Sequence, residues 1–253
     1  MLSASQQKFL TALQVKKYRQ KYRNFTVEGS KLVTELLMQK RISVVSVFGL
    51  ERWATENAAS LAPFYQLFNA VSEADLKKVS ALKNPPPVLA VAELPEPAQP
   101  ALDSGVAFYL DGIRDPGNLG TIIRVADWFG MPAVYCSPDC VDAFGPKVVQ
   151  ASMGAVLRIP LPEMELTEIL HLEPQLPVAG AVLDGDNVFT TQMPDHGLLV
   201  IGNEGSGIRP NVEALLTRRL TIPRAPGSAA ESLNASVAAG ILAAFVAAVS
   251  PPR

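Results

Sequence analysis

The chain has 253 residues, 48% of them apolar and 18% charged, which excludes a disordered chain and suits one large or two small domains. Its formal net charge of −2 excludes a uniformly basic nucleic-acid binder. The longest apolar stretch, Val237 to Val249, has 13 residues, too few to cross a bilayer, so no membrane partner is expected.

The first ten residues, MLSASQQKFL, contain no apolar run of the secretory kind. Residues 1–27 hold Lys8, Lys16, Lys17, Arg19, Lys21 and Arg23 and no acidic residue. Such a stretch can pair with phosphates inside a slightly acidic protein, or serve as a solvated helix face. A helix is predicted over 6–19, a short strand over 25–27, and a helix from Ser30 with Leu32, Leu36 and Leu37 on one face. The β-branched run 42–48 reads as a strand, 73–82 as a helix and 88–94 as a last strand. Residues 1–94 thus form a small α/β domain. Pro95, Pro97 and Pro100 mark residues 95–104 as a linker.

Beyond it, residues 105–253 alternate regularly. Strands are predicted at 106–110, 133–136, 178–183, 198–202 and 220–222. Helices are predicted at 119–129, 145–152, 165–171, 209–217 and 232–249. Strands that are apolar along their whole length, alternating with helices, imply a mostly parallel sheet covered on both faces. Cys136 and Cys140, separated by three residues, are too few for a disulfide framework. His171 and His196 lie far from them in sequence, so no metal is expected, and the cysteines read as free thiols in a reducing cytoplasm.

Three glycine-rich segments each follow a strand and lead toward a helix: DGIRDPGNLGTIIRVADWFG (111–130), VIGNEGSGI (200–208) and TIPRAPGSAAESLNASVAAG (221–240). The carboxyl ends of neighbouring strands lie side by side in an open α/β sheet, so polar groups on these turns can share one site. Asn118 stands near a helix start, where it can act as a cap. Arg124 sits among apolar residues and requires a carboxylate or phosphate partner. Glu204 can be that partner, or can accept backbone N–H groups, in a loop able to form an anion nest. Ser232 is placed as the N-cap of the last helix, with Asn234 in its first turn. No Gly-Lys-Ser/Thr follows the second motif and no G-x-G-x-x-G follows a first strand, which disfavours nucleotide hydrolysis and NAD chemistry.

Taken together, the three motifs resemble those of the SpoU (TrmH-type) RNA ribose 2′-O-methyltransferases of the SPOUT superfamily. RNFTVEG (23–29) and LKKVSALKNPPPVLAVAEL (76–94) look like the small RNA-binding domain of ribosomal protein L30e type that many members carry. The resemblance implies an α/β SPOUT domain with a C-terminal trefoil knot, S-adenosylmethionine as cofactor, a structured RNA substrate (rRNA rather than tRNA), a homodimer and a cytoplasmic location. It implies a catalytic set of Asn118, Arg124, Glu204, Ser232 and Asn234. It assigns cofactor contacts to Gly185, Gly202, Ile222 and Leu233. In the family proposal the arginine meets the ribose 2′-hydroxyl. A guanidinium is a poor base at neutral pH, so Arg124 is expected to stabilise the developing alkoxide or to bind the adjacent phosphate. The chain departs from the family pattern in a third motif that is longer than usual between Ile222 and Leu233. It also has Arg224 after Ile-Pro and a triple proline after Asn84. A non-enzymatic RNA-binding or ribosome-assembly protein on this fold is the alternative; it predicts loss of Arg124, Glu204 or Asn234.

Overall fold

The computed structural model describes residues 1–97, 102–192 and 194–249. Residues 98–101 of the proline-rich segment, and Ser250 onward, lie outside the described residues. Two compact units emerge: Met1–Glu96 with Asp142–Arg158, and Pro97–Val141 with Ile159–Arg253. One segment of the second half of the chain therefore belongs, by its contacts, to the first unit.

The first unit contains α1 (Ala4–Ala12), α2 (Lys16–Tyr22), β1 (Asn24–Glu28), α3 (Ser30–Met38), β2 (Val44–Gly49), α4 (Glu51–Glu56), α5 (Ala58–Leu61), β3 (Phe68–Ala70), α6 (Glu73–Val79) and β4 (Val88–Glu93). Its sheet runs β1-β4-β2-β3. β4 is antiparallel to β1 and β2, and β2 is parallel to β3. Residues 49–72 carry no element in the sequence reading. They form two short helices, a 3₁₀ turn and the three-residue β3, all too short to show a period.

The single helix expected over 6–19 is two helices. Leu13 is fully buried between them, and Val15 takes an extended conformation with φ −108° and ψ 130°. Arg19 fixes the break. Buried to 4% exposure, it donates from Nη1 to the Leu13 carbonyl at 2.7 Å and from Nε to Asp142 at 2.8 Å. A buried guanidinium at a helix end meets an orphan carbonyl and the negative end of the helix dipole together. Arg19 is therefore structural and is not available to phosphate. Arg19→Ala should cost about 2 kcal/mol, the scale of hydrogen bonds to a charged group. The loss is limited because the Asp142 side chain, 18% exposed, can recover water. Urea denaturation checks this; an unchanged midpoint contradicts it. The helix α8 (Pro146–Ala151) packs on β1, with Phe144 against Phe25 at 4.9 Å and Gln150 donating to the Glu28 carbonyl at 2.8 Å.

The second unit contains β5 (Gly105–Asp111), α7 (Pro116–Trp128), β6 (Val134–Cys136), α9 (Leu166–Leu172), β7 (Val178–Asn187), β8 (His196–Gly202), α10 (Pro210–Glu213), β9 (Arg218–Thr221) and α11 (Ala235–Val249). Its five strands run β6-β5-β8-β7-β9 and every pair is parallel. The expected α/β class and parallel sheet hold. On β5, Ala107 and Tyr109 join a core with Leu166 and Ile169 of α9 and Val212 of α10. Val106, Phe108 and Leu110 alternate to the opposite face and are buried as well, as a strand covered on both sides requires. There α7 and α11 pack on each other, and α11 on β8. No helix among the described residues is long and apolar enough to cross a membrane.

Candidate active site

Each of the three glycine-rich segments leaves the carboxyl end of a strand of the second sheet: β5, β8 and β9. β5 and β8 are neighbours, with Asp111 opposite Gly202. The first turn is closed by Asp115, whose side chain accepts the Asn118 N–H at 2.8 Å, and by Pro116 in the first turn of α7, a position that needs no N–H donor. Asp115 therefore caps α7, and the Asn118 side chain, expected as a cap, is released for another use.

That use links all three motifs. Asn118 Nδ2 donates to Glu204 Oε1 at 2.5 Å, and Asn118 Oδ1 accepts from Asn234 Nδ2 at 3.0 Å. Asn234 in turn accepts the Ser236 N–H at 2.9 Å and the Val237 N–H at 3.3 Å. It is the N-cap of α11, the role the sequence reading gave to Ser232. The helix starts at Ala235, three residues later than expected, and Ser232 lies in the exposed loop before it. Asparagine caps as well as serine does, so only the tertiary bond to Asn118 distinguishes them.

Asn203 went unnoticed in the sequence although it adjoins Glu204. Its Nδ2 donates to the Gly112 carbonyl at 2.7 Å, and its Oδ1 accepts from Gly205 N–H at 2.9 Å and Ser206 N–H at 3.2 Å. Asn203 and Gly207 also exchange backbone bonds, both at 3.0 Å. The N–H groups of Asn203, Gly205, Ser206 and Gly207 are thus satisfied internally, and the loop is not the open anion nest its glycines suggested. Gly202 has no space for a side chain: a Cβ would stand 2.4 Å from Gly207 C and from Ile208 N.

Arg124 does not meet Glu204. It is exposed on α7 and has no hydrogen-bond or ion-pair partner among the described residues. Exposure removes the desolvation cost that made a protein partner necessary. Among the residues matched to cofactor contacts, Gly185 lies in the irregular part of β7, where a Cβ would stand 2.6 Å from Arg219 C and Leu220 N of β9. Ile222 follows β9 and is half-buried, and Leu233, 46% exposed, adjoins Asn234.

Behind the loops stands a second polar cluster that the sequence reading missed. Asp111, fully buried at the end of β5, accepts Arg209 N–H and Arg209 Nε–H, each at 2.6 Å. Arg209 Nη2 donates to Glu165 at 3.1 Å, and Nη1 lies 3.7 Å from Asp139. Burial works against the Arg209 charge; the Asp111 hydrogen bond and the surrounding carboxylates overcome it and raise the guanidinium pKa. Asp111 also closes the apolar run VAFYL, and a carboxylate ending a fully buried strand was the available signal. Cys136 and Cys140 are buried thiols in no disulfide. Hydrogen bonding with Cys136 draws the Cys140 thiol down to about 7, against the burial that raises it.

Comparison with known proteins agrees with this arrangement. Residues 105–244 match the SpoU rRNA Methylase family, and residues 5–90 the MRM3-like substrate binding domain. A 23S rRNA (guanosine(2553)-2′-O)-methyltransferase of Bacillus subtilis is 30% identical over 233 residues, 91% of each chain. An uncharacterized tRNA/rRNA methyltransferase of Synechocystis sp. is 30% identical over 177 residues, 68% of this chain and 64% of that one. Among solved structures, an rRNA methyltransferase from Sinorhizobium meliloti with bound AdoMet superposes with a TM-score of 0.84 at 26% identity, covering 98% of this chain and 97% of that one.

Proposed function

This chain belongs to the SpoU rRNA methylase family, and from that premise we propose that it transfers a methyl group from S-adenosylmethionine to the ribose 2′-hydroxyl of a nucleotide in structured RNA, rRNA rather than tRNA. The observation that carries the reading is the hydrogen-bonded chain Glu204–Asn118–Asn234, which ties together the three loops of the motif set. The rRNA preference is supported by the Bacillus subtilis relative, whose name gives a 23S rRNA substrate. The non-enzymatic alternative predicts loss of Arg124, Glu204 or Asn234, and all three are present.

The third loop suits the cofactor. Residues 223–233 are exposed, and their sole backbone–backbone hydrogen bond among the described residues joins Ser228 N–H to Ala225 O. Open backbone donors and acceptors beside an apolar side chain such as Leu233 match a purine edge and face. In this reading Gly202, Ile222 and Leu233 hold the cofactor, the first through backbone alone, with Gly185 shaping the neighbouring strand.

When bound, S-adenosylmethionine supplies a methyl group already activated on a sulfonium sulfur. The chain's own residues must then align the ribose oxygen and favour loss of its proton, and alignment alone lowers the barrier substantially. Arg124, uncommitted to the protein, stabilises the developing alkoxide or holds the adjacent phosphate. Glu204, Asn118 and Asn234 fix the three loops relative to one another; Ser232, free in the third loop, is available to the substrate. Residues 1–94 bind the RNA and residues 105–253 carry the chemistry, the latter with the family's trefoil knot. A homodimer fits the exposed Trp128 of α7, 81% accessible, and Val237 of α11, 50% accessible, since large apolar side chains at a surface favour association. A cytoplasmic location completes the reading.

The test is methyl transfer from labelled S-adenosylmethionine to separately purified rRNA and tRNA lacking the modification, followed by digestion to nucleosides. A 2′-O-methylated nucleoside from the rRNA alone is expected. Label on a base, or in tRNA alone, overturns the proposal.

A further inference from the structure

Helix α2 carries two parallel rows of side chains. Lys17 and Lys21 form one row and Tyr18 and Tyr22 the next, each pair one helical turn apart. The tyrosines are 37% and 41% exposed. Their rings lie 6.2 Å apart at an interplanar angle of 17°. Phe9 of α1 packs edge-on against Tyr22 at 5.3 Å, and Lys21 Nζ stands 5.6 Å from the Tyr22 ring centroid. The aromatic pair is therefore braced from beneath while remaining open to solvent. On the same helix Lys17 and Lys21 are exposed. The two arginines nearby are committed elsewhere, Arg19 to Asp142 and Arg23 to Glu96 at 3.0 Å.

We propose that this face of α2, Lys17, Tyr18, Lys21 and Tyr22, docks unpaired nucleotides of the RNA substrate. The tyrosines stack on nucleobases and the lysines hold the flanking phosphates. The inference rests on the RNA methyltransferase reading and adds which surface engages the RNA and in what form. The charge is right for phosphate, with no acidic residue among the first 27. The tyrosines decide between paired and unpaired RNA. Inside an A-form duplex the base faces are already stacked, and a duplex needs only cations and hydroxyl partners along its grooves. Exposed aromatic planes are useful where bases are splayed out.

The test uses the full-length protein with two fluorescein-labelled RNAs: a stem-loop with an unpaired loop, and a fully paired duplex of the same composition. The Tyr18→Ala/Tyr22→Ala variant should bind the stem-loop about tenfold more weakly or worse and leave duplex binding unchanged. The double phenylalanine variant, which keeps both ring faces, should bind like the parent. Lys17→Gln with Lys21→Gln should reduce the slope of log affinity against log salt by about 1.4, as two lost phosphate contacts on a single strand predict. Parent-like stem-loop binding by a folded double alanine variant overturns the proposal, and so does equal loss on both RNAs. Should the double alanine variant not fold, Tyr18→Ala alone is read by the same criteria, since Tyr22 keeps its contact with Phe9. Methylation of rRNA by the parent protein is measured alongside. Methyl transfer with unaltered loop binding in the variants sinks this inference alone; absent methyl transfer by the parent sinks the enzymatic reading.

Discussion

Arg124→Ala should lower the rate of methyl transfer by about 100- to 1000-fold, the loss seen when one stabiliser of developing negative charge is removed from an active site. Stability should change by less than about 0.5 kcal/mol, because the side chain is exposed and touches no partner among the described residues. The two readings together separate chemistry from folding. Arg124→Lys restores the charge without the planar fork, so its activity distinguishes field from geometry. If lysine recovers full activity, charge suffices and the fork is irrelevant. If the alanine variant is itself fully active, Arg124 has no part in the reaction and the assignment of the first motif fails. Calorimetric titration with S-adenosylhomocysteine should give the same affinity for all three proteins.

Arg209→Ala should destabilise the protein by about 3 kcal/mol or more, because it strands a buried carboxylate. Asp111 is fully buried, and its side-chain oxygens accept both the backbone N–H and the Nε–H of Arg209. The variant keeps the first bond and loses the second. Arg209 directly follows the second motif, and Asp111 opens the first. Loss of the clamp should therefore also reduce methyl transfer, although neither residue need touch substrate. Arg209→Ala/Asp111→Asn removes the stranded charge together with its partner and should recover much of the stability. A double variant no more stable than the single one contradicts the ion-pair account. Thermal denaturation measures the first effect, and turnover at a temperature where both variants are folded measures the second.

Much of the sheet is legible in the sequence because its strands are apolar throughout and separated by helix-forming stretches. The cap at Asp115, with Pro116 in the first turn of α7, has an equally local cause, yet the motif reads as a helix from 119 capped by Asn118, because two capping residues stand three apart. The failures share a different cause. The N-cap of α11 could be Ser232 or Asn234 on local grounds, and a bond to Asn118, 116 residues away, decides it. Arg209 and Asp111 are 98 residues apart, and no spacing rule joins them. The break between α1 and α2 likewise depends on Arg19 reaching Asp142, 123 residues on. Charge offers Arg124 as a partner for Glu204 and loop geometry offers backbone N–H groups, whereas the structure gives Glu204 two asparagine amides, from Asn118 and Asn203. Local chemistry names the polar residues of such a site; their partners are set by the folded chain.

The loan of Asp142–Arg158 to the first unit has a consequence for biogenesis. Phe25, Arg19 and the Glu28 carbonyl all find partners in that segment. On the ribosome these partners emerge only after β5, α7 and β6 have been synthesised. The amino-terminal unit therefore cannot mature ahead of the rest, as an ordinary leading domain does. It waits, with one side of β1 uncovered, while the nascent second sheet is already under way. Expressed alone up to the proline-rich segment, it would present that uncovered strand to solvent, and the shortest piece containing every partner of Arg19 and Phe25 runs well past the linker.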